Sequence, residues 1–353
     1  MNVLSLFDGM SCGQIALERA GIKVDNYFAS EIDKYAIQVA MKNYPNTIQL
    51  GDVVNIRAAD LPPIDLLIGG SPCQGFSFAG KQLNFDDPRS RLFFEFVRLL
   101  KECRPRYFLL ENVKMKKEYE QIITDHLGVE PILINSALVS AQNRKRLYWT
   151  NIAKVTQPQD RGVLLRDVVL DDTHPIILHN LYGGFGEKDV RVFKNKAPTI
   201  RTASGGRHIP SVVKTGLIVP HEKINSPVFK ENYLEWDING KGHGSQDQRA
   251  YYLHKKHGAI PAIGGSSKVK VLSLPEDAVY EFFLGRPYRE FRGLGYIRQL
   301  HPIECERLQT IPDNYMEGVS NSQRYKMIGN GWTVDVIAHI FSFMELPGPS
   351  EQN

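Results

Sequence analysis

Short apolar runs alternate with amphipathic stretches through residues 1–150. Val3 to Phe7 and Tyr27 to Ser30 are compact runs of strand type, and Ile64 to Ile68 and Tyr107 to Leu110 repeat the pattern. Runs of this kind belong to strands buried on both faces, as in a parallel sheet covered by helices. Between them, Gln14 to Ala20 has a helical texture that Gly21 is placed to end, and Asp33 to Lys42 predicts a second helix. Asp87-Pro88 can cap a third helix, in which Leu92, Phe93, Phe96, Leu99 and Leu100 share one face at i, i+1, i+4, i+7 and i+8. This alternation of strand and helix predicts an α/β fold with a doubly wound sheet.

After residue 165 the texture changes. Gly183-Gly184, Gly205-Gly206, Gly240-Lys241-Gly242-His243-Gly244 and Gly264-Gly265-Ser266-Ser267 interrupt any long helical period and favour short strands and loops. Helical texture returns over His301 to Gln309 and Val334 to Phe343. The pattern therefore predicts one domain over 1–165, a smaller irregular β-rich domain over 166–297, and a returning segment over 298–353.

A chain of 353 residues has room for a full core, and 42% hydrophobic with 23% charged residues is the composition of a globular protein. The N-terminus has no basic leader, and no apolar run approaches the length of a membrane span, so a cytoplasmic protein is expected. The four cysteines are scattered without a CxxC pair, which argues against a disulfide framework and against a zinc ribbon, and no metal is expected. Formal charge is only +4, but residues 181–298 hold 19 Lys and Arg against 11 Asp and Glu, a local +8 that leaves −4 elsewhere. Such asymmetry fits a polyanion-binding part joined to a neutral or acidic part, although a merely basic surface has the same signature.

In an open α/β sheet, ligands bind beyond the carboxyl ends of the strands. There the chain places Asp8-Gly9-Met10-Ser11-Cys12-Gly13 after the first strand, Glu31 after the second, and Asp52 in the turn after Ile48 to Leu50. Gly69-Gly70-Ser71-Pro72-Cys73 follows the Ile64 strand, and Glu111-Asn112 closes the Tyr107 strand. A glycine turn lets a ligand approach the backbone, and an acid about 20 residues on can bind ribose hydroxyls, a role that suits Glu31. The turn is neither GxGxxG nor a Walker sequence, so a nucleoside without phosphates, such as S-adenosylmethionine, suits it better than a dinucleotide.

Ser71-Pro72-Cys73-Gln74-Gly75-Phe76-Ser77, with Glu111-Asn112-Val113 and Gln142-Asn143-Arg144-Lys145-Arg146, resembles the C5 cytosine methyltransferase family, whose ordered motifs run along almost the whole chain. Phe7 to Gly13 looks like the cofactor turn, and Glu31 and Asp52 like its ribose and adenine contacts. Ile32, Val53, Pro72 and Leu92 complete the expected cofactor set with Asn330, Trp332 and Thr333 of Gly329-Asn330-Gly331-Trp332-Thr333-Val334. That last motif packs beside the first in the family. Arg298 to Asp313 resembles the helix that braces the recognition domain.

The resemblance implies a Rossmann-like, S-adenosylmethionine-dependent methyltransferase acting on a cytosine flipped out of duplex DNA, with S-adenosylhomocysteine as product. Cytosine C5 is too weak a nucleophile to take a methyl group until a thiolate adds at C6, and Cys73 is the expected thiolate. Glu111 is expected to relieve charge at N3, Arg146 to hold O2, and Arg144 to brace the loop or a phosphate. Cys12, Cys103 and Cys305 lack such company and are expected to pack in the core. The motif HxE is absent, which removes the zinc deaminase reading.

The basic stretch takes the place of the family's target-recognition domain. Gln74, Ser77, Arg201, Arg207, Lys255 and Lys256 are the expected DNA contacts, most of them to phosphate. Ser90 to Phe96 and Trp332 look like the animal de novo branch, but the long recognition segment is similar to bacterial or phage modification enzymes. A monomer on DNA, with a possible cognate restriction endonuclease, is therefore expected. An RNA-methylating branch carries Cys-Phe-Thr, which is absent here, and Cys73, Glu111 and Arg146 argue against a silent DNA-binding regulator. A nicotinamide oxidoreductase lacks its GxGxxG turn.

Overall fold

The computed structural model describes residues 1–71, 91–170, 191–193, 195–200 and 300–345, and the backbone of strands at 176–179, 211–213, 217–220, 269–272 and 297–299. The chain divides into two compact units, Met1–Val163 with Cys305–Asn353, and Leu164–Glu304. Among the described residues no helix is long and apolar enough to cross a membrane.

The first unit is built on strands β1 (Asn2–Leu6), β2 (Asn26–Ser30), β3 (Ile48–Gln49), β4 (Leu66–Gly69), β5 (Tyr107–Val113), β6 (Ile132–Asn135) and β7 (Lys145–Thr150). They form one seven-stranded sheet in the order β3-β2-β1-β4-β5-β7-β6. The chain winds outward from β1 in both directions, and β1 to β5 pair in parallel. Val3, Leu4, Leu6, Leu66, Leu67 and Ile68 are fully buried, the reason the central strands are legible as apolar runs.

The sheet is mixed. β7 lies antiparallel between β5 and β6. No crossover helix is needed between β6 and β7, because antiparallel neighbours can be joined by a short connection. β5 also runs three residues past the predicted Leu110, so Glu111 and Asn112 are strand residues.

The predicted helices α1 (Cys12–Arg19), α2 (Lys34–Asn43) and α3 (Arg91–Cys103) are present. Asp33 caps α2, its carboxylate accepting from the backbone N–H of Tyr35 at 2.9 Å. The Asp87-Pro88 cap proposed for α3 lies outside the described residues. In α3, Phe93, Phe96, Val97 and Leu99 are buried, with Leu92 and Leu100 half-buried against the same core. α4 (Lys117–Leu127) was not predicted, because its buried face mixes Glu120 and Thr124 with Ile123 and Leu127.

Of Arg298 to Asp313, expected to be a bracing helix, Arg298 and Gln299 belong instead to strand β13 (Ile297–Gln299), and helix α5 begins at Pro302 and runs to Leu308. α6 (Asn321–Asn330) and α7 (Val334–Phe341) follow. Buried Glu306 accepts hydrogen bonds from the backbone N–H groups of Asn314 and Met316 and from Arg324 at 3.0 Å, which fixes the approach to α6. Ser136 donates to Thr333 and Thr333 to Gln309, each at 2.8 Å, tying α7 to the loop after β6.

In the second unit, β8 (Ile176–His179), β9 (Arg191–Phe193), β10 (Ser211–Val213) and β13 form an antiparallel sheet in the order β13-β10-β8-β9. β11 (Leu217–Pro220) pairs antiparallel with β12 (Val269–Leu272). Ala197 and Ile200 are fully buried, so Ile200 is a core residue.

Candidate functional site

The winding direction reverses between β1 and β4, and ligands of open α/β sheets bind at that reversal. The turn after β1 is conformationally unusual. Phe7, Gly9 and Ser11 have φ of 57°, 59° and 64°, and a left-handed backbone at two residues other than glycine needs strong local support. Asp8 supplies it. Its carboxylate accepts from Ser5 at 2.6 Å, from Tyr27 at 2.7 Å and from the Ser11 hydroxyl. Desolvation raises the Asp8 pKa to about 6, with the nearby Glu31 charge adding to it and the three hydrogen bonds opposing it.

Ser11 occupies the N-cap of α1 but makes no capping bond with its side chain. A Cβ at Gly13 would lie 2.6 Å from Ile68 Cδ1 and 2.8 Å from the Tyr27 hydroxyl, so a side chain there would have to displace the ends of both.

Glu31 faces this turn. Its carboxylate accepts from the backbone N–H groups of Gly9, Ile32 and Asp33, each at 2.8 Å, which orients it and leaves acceptor capacity for a ligand hydroxyl. Beside it Ile32 is 74% exposed, an apolar side chain standing in solvent at a strand end. Asp52 is exposed and caps the short turn Val53–Asn55 by accepting from Val54 at 3.2 Å. Val53 and Leu92 pack with the core cluster, Val53 buried and Leu92 half-buried. Half-buried Glu31, exposed Asp52 and exposed Ile32 thus lie at the carboxyl ends of neighbouring strands beside the 7–13 turn.

On the other side of β4, Arg146 Nε lies 2.9 Å from Glu111 Oε1. The β5–β7 register sets Glu111 against Tyr148 and Val113 against Arg146, so the ion pair is a diagonal one on a single sheet face. Burial raises the Tyr148 pKa, with the Glu111 charge adding to it, so its hydroxyl stays protonated there. Gly70 lies against the same group. A Cβ on it would stand 3.0 Å from Trp332 Nε1 and 3.3 Å from Glu111 Oε2. Next to Gly70, Ser71 is held by Asn112, whose Nδ2 donates to the Ser71 hydroxyl at 3.2 Å. Pro72-Cys73 follows directly in sequence.

Arg144 is buried and donates to the carbonyls of Gly329 and Gly331. The final motif also packs against the first turn: a Cβ at Gly331 would lie 2.7 Å from Met10 Cε, and one at Gly13 would lie 3.7 Å from the Trp332 ring. Asn330 is exposed, Trp332 half-buried, and Thr333 buried in its hydrogen-bond network. Burial pushes the Cys12 thiol up to about 12, which keeps it protonated and unreactive.

The structure thus gathers Phe7, Asp8, Gly9, Ser11, Gly13, Glu31, Ile32 and Asp52 at one part of the carboxyl edge, and Glu111, Arg146 and Trp332 at its neighbour. Pro72, Cys73, Gln74, Ser77, Arg201, Arg207, Lys255 and Lys256 lie outside the described residues. Tyr27, Gly70 and Asn112 take part in the site's geometry but were given no role from the sequence. Tyr27 has no motif around it, whereas Gly70 and Asn112 flank residues already chosen. Among the described residues no group of three or more His, Cys, Asp or Glu could hold a metal ion.

A sheet of this order, with antiparallel β7 inserted beside β5 and an acid after β2, is a Rossmann-like methyltransferase fold. Comparison with known proteins agrees. The sequence profile of the family described as C-5 cytosine-specific DNA methylase matches residues 1–345. The chain is 28% identical over 423 residues to the orphan methyltransferase M.SPRI of Bacillus phage SPR, covering 97% of this chain and 96% of the relative. It is 24% identical over 359 residues to the type II methyltransferase M.HhaI of Haemophilus parahaemolyticus, covering 96% and 93%. The solved Entamoeba histolytica methyltransferase EhMeth superposes with a TM-score of 0.59 at 14% identity, covering 97% of both chains, which speaks for the fold alone. The chain belongs to the C-5 cytosine-specific DNA methylase family, and its enzyme class is DNA (cytosine-5-)-methyltransferase.

Proposed function

We propose that this enzyme methylates C5 of a cytosine flipped out of a specific duplex DNA site, with Cys73 as nucleophile and S-adenosylmethionine as donor. One observation carries the reading: the 2.9 Å ion pair of Glu111 and Arg146 stands against Gly70, at the end of the strand that continues into Pro72-Cys73.

In this reading the Cys73 thiolate forms a bond to C6, and the ring's electron pair moves toward N3 and makes C5 enamine-like. Glu111 receives that charge by a proton or hydrogen bond to N3. Arg146, held by Glu111 through one N–H, has others left to donate to O2. Once C5 has taken the methyl group, the C5 proton leaves to solvent base, the C5–H electron pair re-forms the C5–C6 double bond and expels the Cys73 thiolate, and the N3 proton returns to Glu111.

S-adenosylmethionine, when bound, supplies an electrophilic methyl group. Glu31 would take its ribose hydroxyls and Asp52 its adenine, with Ile32 and Trp332 as apolar cover and the 7–13 turn allowing close approach. The clustered acids Asp8 and Glu31 and the absence of Lys and Arg from the turn suit a cationic, phosphate-free ligand.

Residues 166–297 would read the target, with Arg201, Arg207, Lys255 and Lys256 contacting DNA beside Gln74 and Ser77. The enzyme would act as a monomer on DNA, in modification or restriction protection. Labelled-methyl transfer tests the reading: activity on duplex DNA, absence of activity on transfer RNA, and loss in Cys73→Ala are expected. Equal activity in Cys73→Ala, or transfer to RNA alone, contradicts it.

A further inference from the structure

A cavity opens at the end of α1 that lies away from the 7–13 turn. Its volume is about 720 Å³, and Arg19, Arg161, Thr310, Asp335 and His339 line it. α1 starts at Cys12 and Arg19 is its last residue, so about 10 Å of helix lie between Arg19 and the turn. All five residues belong to the unit formed by Met1–Val163 with Cys305–Asn353.

Asp335, in the first turn of α7, accepts from Arg19 Nη1 at 2.5 Å through one carboxylate oxygen and from Arg161 Nη1 through the other. Two guanidiniums share one carboxylate, which leaves this wall a net charge of +1. Among the described residues the Nε and Nη2 groups of both arginines have no partner, so donors remain unused at the cavity. The arrangement is built into the fold. The Asp335 side chain is only 14% exposed, and its backbone N–H donates to the Thr310 hydroxyl at 2.9 Å. Thr310 holds a φ of 54°, a left-handed backbone that a β-branched residue adopts only where its surroundings impose it. His339, one turn beyond Asp335, has Nε2 2.8 Å from the Thr156 carbonyl, which can only accept, so Nε2 carries the proton and the ring is tethered.

An exposed ion pair is worth little and needs no ligand. Here a second guanidinium is held on the same carboxylate, beside a hollow, with donors left over. An anion in the cavity would take those donors and relieve the repulsion between the two cations.

We propose that this cavity binds a small phosphate ester, its phosphate held between Arg19 and Arg161. The planar fork of a guanidinium matches phosphate oxygens bidentately, and a phosphate monoester offers three terminal oxygens to two forks where a carboxylate offers two. The volume lies in the range of small-molecule sites and exceeds what bare phosphate fills, so the remainder takes the esterified group.

Calorimetric titration of the full chain with ribose 5-phosphate, inorganic phosphate and acetate, at an ionic strength fixed by chloride, tests the site. Saturable one-to-one binding of the ester and of inorganic phosphate is expected, and none of acetate. Arg161 is 54% exposed, so its replacement should leave the Tm in chloride nearly unaltered. Arg161→Lys keeps a cation on Asp335 but loses the fork, and should weaken the ester at least about tenfold. Arg161→Gln should abolish its binding, with duplex DNA affinity unchanged in both variants. Absence of ester binding, wild-type ester affinity in both variants, or acetate bound as tightly as phosphate overturns the proposal. Loss of duplex affinity together with phosphate binding also overturns it, since the anion would then be a phosphodiester of the DNA backbone.

Discussion

Arg144 Nη2 donates to the carbonyl oxygen of Gly331 at 2.9 Å and to that of Gly329 at 3.3 Å, joining residues 187 and 185 positions apart. The guanidinium is buried, and desolvation, with the nearby Arg146 charge adding to it, lowers its pKa to about 9. This contact helps hold the final motif against the segment before β7, beside the Ser136–Thr333–Gln309 hydrogen bonds. Arg144→Ala is expected to cost about 2–4 kcal/mol of unfolding free energy, because the substitution removes a buried guanidinium and the donor that the part-buried carbonyls of Gly329 and Gly331 share. Urea denaturation measures it, and a loss below about 0.5 kcal/mol, the range of ordinary surface substitutions, would refute the brace.

Glu111 and Arg146 should behave differently. Glu111→Gln keeps the shape of the pair but removes its charge and its ability to pass a proton. A general acid is worth about 10²–10⁴-fold, so kcat should fall in that range while duplex affinity changes little. Single-turnover methyl transfer and an anisotropy titration measure the two quantities. Equal losses in both would mean that the pair serves binding.

Gly70→Ala tests the close approach at the end of β4. The new Cβ meets Trp332 Nε1 at 3.0 Å and Glu111 Oε2 at 3.3 Å, and overpacking of this kind costs about 1–3 kcal/mol. Methyl transfer should fall by more than the stability loss explains, at least about tenfold, since the displaced groups are those proposed to touch substrate. Wild-type turnover in a folded Gly70→Ala protein contradicts the placement.

The raised pKa of Asp8 gives a pH signature. Its folded value of about 6 lies above the ordinary 3.8, so the fold favours the protonated acid. The ionised form is penalised in the fold: the penalty is absent below 3.8, grows as pH rises and is complete above 6. Asp8→Asn should therefore raise Tm more at pH 7.5 than at pH 4.5, a difference that cancels the other acids common to both proteins. The opposite ordering would show that the Ser5, Ser11 and Tyr27 hydrogen bonds outweigh burial.

How much of this was legible in the sequence depends on where each signal resides. β1, β2, β4 and β5 are buried on both faces and announce themselves as apolar runs, and the chemistry-bearing residues follow them directly. β7 opens with Lys145-Arg146, so its charged start hides a strand whose later residues Leu147, Tyr148 and Trp149 are buried. α4 is obscured by buried Glu120 and Thr124, the latter accepting from Trp149 Nε1 at 3.0 Å. The partners of Arg144 could not be found by local pattern, since they are remote in sequence. Its two possible tasks, bracing a loop or holding a phosphate, were separable only by the direction of a side chain.

The most direct measurement of the central claim is intact-mass analysis of the enzyme with S-adenosylmethionine and duplex DNA in which 5-fluorocytosine replaces cytosine. Fluorine at C5 cannot leave as a proton does, so the C6 adduct cannot eliminate its thiolate. The account predicts a covalent complex of protein, DNA strand and one added methyl group, mapped to the peptide containing Cys73 and missing in Cys73→Ala. A trapped adduct on another residue, or methyl transfer to ordinary duplex DNA without any trapped complex, would contradict it.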